Sequence, residues 1–195
     1  MRHIFVVSIP YEKYLFFDCE TTGLFDGTHI PRLLQLGWLI ADSEFNVILE
    51  KEFLIVPDGF SVPAEATAVN GITEESAGAF GRSCKDVLSE FFHDLDGSGC
   101  VVAHNFEYDS RIIEYEASRF WSNFSFGKYA TFCTMKSSAD FCKIPGPYGY
   151  KWAKLSELYE ILFGRLPAHS HHALDDAKTC AECFFELRKR GLIMV

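Results

Sequence analysis

The chain has 195 residues, a length for about one domain, long enough to bury roughly two thirds of the surface its unfolded form exposes. Hydrophobic residues make up 48%, 19 of the residues being Phe, which excludes a disordered chain, and 27 acidic against 18 basic residues give a net charge of -9, which excludes a protein that wraps a basic surface around nucleic-acid phosphates. Seven cysteines without a small-scaffold spacing, no opening leader pattern and no apolar run long enough to span a bilayer lead us to expect a reduced, intracellular protein with no membrane partner.

Three apolar segments come first, at residues 14–18, 33–41 and 47–56, separated by turn-rich stretches at 23–31 and 42–46. The simplest arrangement is an antiparallel meander in the order one, two, three. A loop with Pro57, Gly59 and Pro63 leads to a short helix at 64–71 stopped by Gly71. Ser83 reads as an N-cap with Asp86 three residues on, ahead of Val87, Leu88, Phe91, Phe92 and Leu95 at helical spacing. The run Cys100-Val101-Val102-Ala103 reads as a strand; His104 and Asn105 follow it, and a helix is predicted at 109–121. A strand near 129–134, a Pro- and Gly-broken stretch at 140–150, a helix at 155–163 stopped by Gly164 and a last helix at 173–190 complete the chain. Strands first and strand–helix alternation later predict one domain over residues 1–195. Its class is α/β, a mixed β-sheet (antiparallel meander, then parallel strands) flanked by helices.

The first segment ends in Asp18 and Glu20, which share one face of a strand because alternate side chains point the same way. Buried like charges are costly unless protonated, paired or bound to a cation, and all-oxygen ligands suit Mg²⁺ or Mn²⁺. The Thr21-Thr22-Gly23 turn is expected to present backbone N–H groups beside that site, where a phosphate fits.

Helical phase selects two further acids. Asp109 sits three and four residues before Ile112 and Ile113, the first members of an apolar stripe that continues to Ala117 and Phe120. In the last helix the stripe is Ala173, Ala177, Cys180, Ala181, Phe184 and Leu187; Asp176 lies on its margin, and Asp175 points about 160° away from Ala173, toward water. Mutual repulsion among Asp18, Glu20, Asp109 and Asp176 calls for positive charge. Two divalent cations about 3.5–4 Å apart supply it, and such pairs activate a water and hold a scissile phosphate. His171, just before the last helix, is placed to take a proton from that water.

The motifs Phe17-Asp18-Cys19-Glu20-Thr21-Thr22-Gly23-Leu24, Ala103-His104-Asn105-Phe106-Glu107-Tyr108-Asp109 and His171-His172-Ala173-Leu174-Asp175-Asp176-Ala177 together resemble the DEDDh branch of the DnaQ-like 3′-5′ exonucleases. Asn70-Gly71-Ile72-Thr73 is similar to an element of that family that has histidine where Asn70 stands. The resemblance covers about residues 14–190. It implies a ribonuclease H-like fold, two Mg²⁺ or Mn²⁺ ions and release of nucleoside 5′-monophosphates from a nucleic-acid 3′ end. By the same resemblance Asp18, Glu20, Asp109 and Asp176 hold metal, His171 is the general base, and Thr22, Gly23, Leu24 and Ile72 hold the terminal nucleotide. Single-stranded DNA is the substrate expected first. RNA trimming and a non-catalytic nucleic-acid-binding or polymerase-accessory module on the same fold are the alternatives. A polymerase is the kind of protein partner the family implies; with the chain ending a few residues past its last helix, no long C-terminal docking tail is expected.

Some of these residues also admit plainer readings. His169, His171 and His172 with Cys180 or Cys183 lack the spacing of a closed zinc site, and cysteines in an apolar helix usually behave as small hydrophobes. His104 and Asn105 are as readily loop-stabilising as catalytic. Tyr148, Tyr150, Lys151 and Trp152 form an aromatic and basic group suited to stacking bases, although packing is the favoured expectation for Trp152.

Overall fold

The computed structural model describes residues 11–168 and 172–194. In chain order its elements are β1 (Lys13–Thr21), β2 (Leu33–Asp42), β3 (Val47–Leu54), α1 (Ala64–Asn70), α2 (Glu74–Phe80), α3 (Cys84–Asp96), β4 (Cys100–Ala103) and α4 (Phe106–Ser118). There follow β5 (Ala130–Cys133), α5 (Thr134–Ser137), α6 (Ala139–Cys142), β6 (Pro145–Gly146), β7 (Gly149–Tyr150), α7 (Leu155–Phe163) and α8 (Ala173–Lys189). The main sheet has the order β3-β2-β1-β4-β5. The β1–β2 and β2–β3 pairs are antiparallel, and the β1–β4 and β4–β5 pairs are parallel. The predicted meander and the mixed sheet are both present.

Alternation along β1 separates two cores. Leu15, Phe17 and Cys19 face α3 and α4, packing with Val87, Leu88, Phe91, Ile112 and Ile113. Tyr14 and Phe16 face α7 and α8, packing with Leu158, Leu162, Cys180, Phe184 and Leu187. Tyr14, Leu15, Phe16 and Phe17 are fully buried. At about 1.5–3 kcal/mol each, these four side chains contribute about 6–12 kcal/mol, enough to hold the strand in place although it ends in carboxylates.

Two features bring α8 onto the acidic end of the sheet. Gly37 on β2 pairs in register with Asp18, and a Cβ there would fall inside the backbone of Ala173 and Leu174. Only glycine allows so close an approach. The first amides of α8 are then satisfied from the sheet: Ala173 N donates to Gln35 Oε1 at 3.1 Å and Leu174 N to Glu52 Oε1 at 3.0 Å.

The parallel edge supplies the second condition. The β1–β4 register runs only to Phe16 opposite Val102, and β4 ends at Ala103, whereas β1 continues to Thr21. A crevice therefore opens beside Asp18 and Glu20 at the carboxyl end of the parallel strands, where ligands of open α/β sheets bind. Helix α4 enters it directly after β4. It begins at Phe106, three residues before the predicted start, after Asn105 in a left-handed conformation (φ 81). Helix α2, absent from the sequence reading, is short and has few apolar residues; a Thr73–Ser76 capping box starts it.

Candidate active site

Asp18 and Glu20 continue the Tyr14, Phe16 face of β1 and so point to the side of the sheet that α8 covers. Asp176, in the first turn of α8, comes down on them from above. One carboxylate oxygen from each of Asp18, Glu20 and Asp176 lies within 4.8 Å of the others. Among the described residues this is the one group of His, Cys, Asp or Glu side chains close enough to hold a metal ion. Asp175 lies outside it and is half-buried rather than facing open water, its carbonyl accepting the Thr179 hydroxyl at 2.8 Å.

Asp109 approaches from the opposite helix layer. It is 4% exposed and accepts a hydrogen bond from the Cys19 backbone, at a level where β4 has already ended. It is close enough to Asp18 to raise that group's pKa, yet it is not one of the three clustered oxygens. Burial, and then the charges of Asp109, Asp176 and Glu20, drive the Asp18 carboxyl well above the usual range. Burial and the Asp176 charge push Glu20 up to about 7, against a hydrogen bond from Asn70. Burial also pushes Asp109 up to about 8, although the Cys19 backbone hydrogen-bonds it. Buried acids that resist ionisation, first because burial penalises their charge and then because they repel one another, are a donor set that fits a divalent cation, whose charge offsets both.

The remaining predicted residues fall as follows. His171 lies outside the described residues; His172 is the exposed N-cap residue of α8. Thr22 is locked by a reciprocal pair, its N–H donating to Arg32 O at 2.9 Å and its hydroxyl accepting from Arg32 N at 2.9 Å. The expected free amide at Thr22 is therefore engaged by the protein itself. Gly23 adopts φ 149, and its carbonyl accepts from Tyr108 Oη at 2.6 Å and Thr21 Oγ1 at 2.8 Å. Leu24 is 84% exposed. Ile72, which the resemblance sets against the terminal nucleotide, is 4% exposed and packs with Leu34, Ala66 and Ala77, and its N–H donates to Asn70 Oδ1 at 3.0 Å.

His104 serves the structure. Its Nε2 donates to Ala153 O at 3.0 Å, which leaves Nδ1 to accept from Thr134 Oγ1 at 2.9 Å, and burial pulls its pKa down to about 4. Cys180 and Cys183 lie on the buried face of α8, and all seven cysteines are free thiols. Trp152 departs from the packing expected of it: it is 57% exposed, its ring beside Lys136, while the next residue, Ala153, takes the buried position.

The roles of several supporting residues escaped the sequence reading. Tyr108 ties α4 to the Gly23 turn. Asn70, 5% exposed, joins Glu20 to the backbone of Thr21 and Ile72. Glu116 is 1% exposed and accepts from Arg32 Nε at 2.6 Å and Arg119 Nη1 at 2.8 Å, fixing the end of the loop that starts at Thr22. Burial pushes its carboxyl up, but the two guanidinium groups and the Leu33 N–H outweigh that and hold it below the usual range. Glu116 had a visible signal, since it lies four after Ile112 and three after Ile113 on the apolar stripe.

A family model described as exonuclease (RNase_T) matches residues 15–184. An uncharacterized exonuclease of Escherichia phage 186 is 30% identical over 183 residues, 91% of this chain and 89% of the relative. DNA polymerase III subunit epsilon of Treponema pallidum (strain Nichols) is 29% identical over 168 residues, 86% of this chain and 73% of the relative. Among solved structures, the nuclease domain of 3′hExo, a DEDDh family member bound to rAMP, superposes with a TM-score of 0.75 at 17% identity, over 95% of this chain and 96% of that one. E. coli exonuclease I in complex with a dA16 oligonucleotide gives 0.74 at 21% identity over 92% of this chain, which spans only 41% of the exonuclease I chain. The structural likenesses establish the ribonuclease H-like fold. No helix among the described residues is long and apolar enough to cross a membrane. With the family model spanning nearly the whole chain and a relative of similar length 30% identical along it, this chain belongs to the exonuclease family as a DnaQ-like, DEDDh-type 3′-5′ exonuclease, a kind of nuclease that depends on metal.

Proposed function

We propose that this chain removes nucleoside 5′-monophosphates one at a time from the 3′ ends of single-stranded DNA. The observation that carries the reading is the meeting of the Asp18, Glu20 and Asp176 oxygens within 4.8 Å, with Asp109 buried behind them, in the crevice at the end of β4. When bound there, two Mg²⁺ or Mn²⁺ ions supply a hydroxide nucleophile at neutral pH and stabilise charge on the attacked phosphate. The protein's part is positional. Asp18 and Glu20 are fixed by the buried strand and Asp176 by the docking of α8 on Gly37. Asn70 orients Glu20, and the Cys19 backbone orients Asp109. His171, five residues before Asp176, takes the proton of the attacking water. Thr22, Gly23 and Leu24 form the turn beside the carboxylates, and exposed Leu24 offers apolar surface to the terminal base. Ile72, the other residue assigned to the terminal nucleotide, is 4% exposed and presents little surface to it.

DNA is favoured by the epsilon-subunit relative and by the exonuclease I complex with dA16. The rAMP bound to the 3′hExo nuclease domain, whose length this chain matches, supports RNA as the second reading. A polymerase partner belongs to the same proposal and is supported by the epsilon relative. Parallel trimming of 5′-labelled single-stranded DNA and RNA of one sequence, in Mg²⁺ and in Mn²⁺, decides between the substrates. A shortening ladder on DNA at higher kcat/KM is expected; preference for RNA would replace the first reading with the second.

A further inference from the structure

A cavity of about 260 Å³ opens against Tyr108, the residue that ties α4 to the Gly23 turn and immediately precedes Asp109. Two half-exposed aromatic side chains line it, Phe25 at 40% and Trp152 at 57% exposure. Each is matched with a cation: Arg111 lies 4.3 Å from the Phe25 ring centre and Lys136 lies 5.6 Å from that of Trp152. Lys136 is held by Glu107 at 2.7 Å, so the Trp152 side is braced from α4. Asn105, whose side chain makes no cap bond to its own helix, lines the same space.

These residues come from four distant parts of the chain: the turn after β1, the first turns of α4, α5, and the segment after the β6–β7 hairpin. Their meeting is not needed by either core, since Phe25 and Trp152 belong to no buried cluster. The volume is below the roughly 300–1,000 Å³ of pockets that enclose a drug-sized ligand, and suits one flat ring system. Aromatic faces accept any base by stacking, guanidinium and ammonium groups beside them meet phosphate, and an amide reads a base edge. On a chain with net charge -9, the guanidinium of Arg111 beside Phe25 offers positive charge to a polyanion led toward the carboxylates.

We infer that this cavity holds the base of a nucleotide upstream of the scissile bond, stacked against Phe25 and Trp152 with its phosphate near Arg111. The inference rests on the exonuclease reading and adds a second base site to it. The terminal nucleotide falls to the Thr22–Gly23–Leu24 turn; the next ones must pass Phe25, the following residue, which carries them to this pocket. Affinity for single strands is then set at a distance from the metal site, and the enzyme requires a minimum length of substrate.

The test is an abasic scan. Single-stranded oligonucleotides carry one abasic residue at each of the first several positions from the 3′ end, and steady-state trimming in Mn²⁺ is measured for the wild type and for Trp152→Ala, Phe25→Ala and Trp152→Phe, with melts to verify folding. One internal position should raise KM by about 5- to 150-fold in the wild type, the range that loss of one base–aromatic stack gives. Trp152→Ala should raise KM for the intact strand by a similar factor and abolish the penalty at that position, while Trp152→Phe restores both. Efficient trimming with a flat internal profile, or a penalty that persists in both alanine variants, would overturn the pocket and leave the exonuclease reading intact. No trimming of the intact oligonucleotide by the wild type would remove that reading and the pocket with it.

Discussion

Asp175 and Asp176 are neighbours in the sequence, yet only Asp176 brings a carboxylate oxygen to Asp18 and Glu20. Asp176→Asn removes a metal-binding charge that several kcal/mol of transition-state stabilisation depends on, so kcat/KM should fall by at least about 10²-fold. Asp175→Asn should cost only about 0.3–1 kcal/mol of stability through the helix dipole and leave trimming near wild type. Loss of activity confined to Asp175→Asn in a folded protein would reverse the assignment. His171→Ala should slow the chemical step by about 10²- to 10⁴-fold with metal binding retained, and His172→Ala should be mild. Single-turnover rates of the two variants check this; reversed effects would shift the third motif by one residue. The choice of Asp109 and Asp176 was legible in the sequence because helical phase marks any acid on an apolar stripe. The same rule marks Glu116, but its partner Arg32 lies 84 residues away and no local pattern distinguishes a paired inward acid from a metal ligand. Asn70 and Tyr108 were illegible for a similar reason, their role being fixed by which backbone groups the fold leaves beside them.

At the level of elements the site depends on α8 meeting β2 at Gly37. Gly37→Ala places a methyl group into the backbone of Ala173 and Leu174, which cannot yield as a flexible side chain would. Overpacking of this kind costs about 1–3 kcal/mol and should also displace Asp176 from Asp18, lowering activity far more than stability alone explains. Melting temperature and kcat measured on the same preparation separate the two; a variant as active as wild type would show that α8 is not positioned by this contact. The strands of the main sheet, α3 and α7 were readable from periodicity and caps, α7 and β4 to their ends. Helix α2 was missed because Glu74-Glu75-Ser76-Ala77-Gly78 carries no apolar stripe, only Ala77 of that helix being buried. The start of α4 was misplaced because its N-cap Asn105 makes no side-chain cap bond and takes a left-handed conformation. Trp152 was misjudged because its small neighbour Ala153, and not the larger ring, takes the buried position there.

The whole molecule is stabilised by two apolar cores on either side of one sheet and carries an acidic cluster at the sheet's end that works against them. In metal-free protein Asp109, pushed up to about 8, and Glu20, pushed up to about 7, keep protons in the folded state that the unfolded chain releases near pH 4. The folded state therefore binds more protons between about pH 4 and 8, and the contribution of these groups to stability is lost as pH rises through that window. The charges of Asp176 and Glu52 act on Glu20, and that of Glu20 acts on Asp109, in each case after burial. Melts in EDTA should show the midpoint falling with pH more steeply in wild type than in Asp109→Asn, by a few degrees, given that about 1 kcal/mol moves a domain of this size by about 2–4 °C. Saturating Mn²⁺ should flatten the wild-type profile and raise it. Equal slopes in the two proteins would mean that the cluster is not under electrostatic strain. Above these stands the claim that the converging carboxylates exist to bring metal to a phosphodiester at a 3′ end. The direct measurement follows a 5′-labelled single-stranded oligonucleotide with the enzyme stripped of metal, with removal verified, and then with Mg²⁺ or Mn²⁺ restored. The account predicts no trimming when stripped and, on restoration, a ladder shortening from the 3′ end with release of 5′-mononucleotides; full trimming by the stripped enzyme would contradict it.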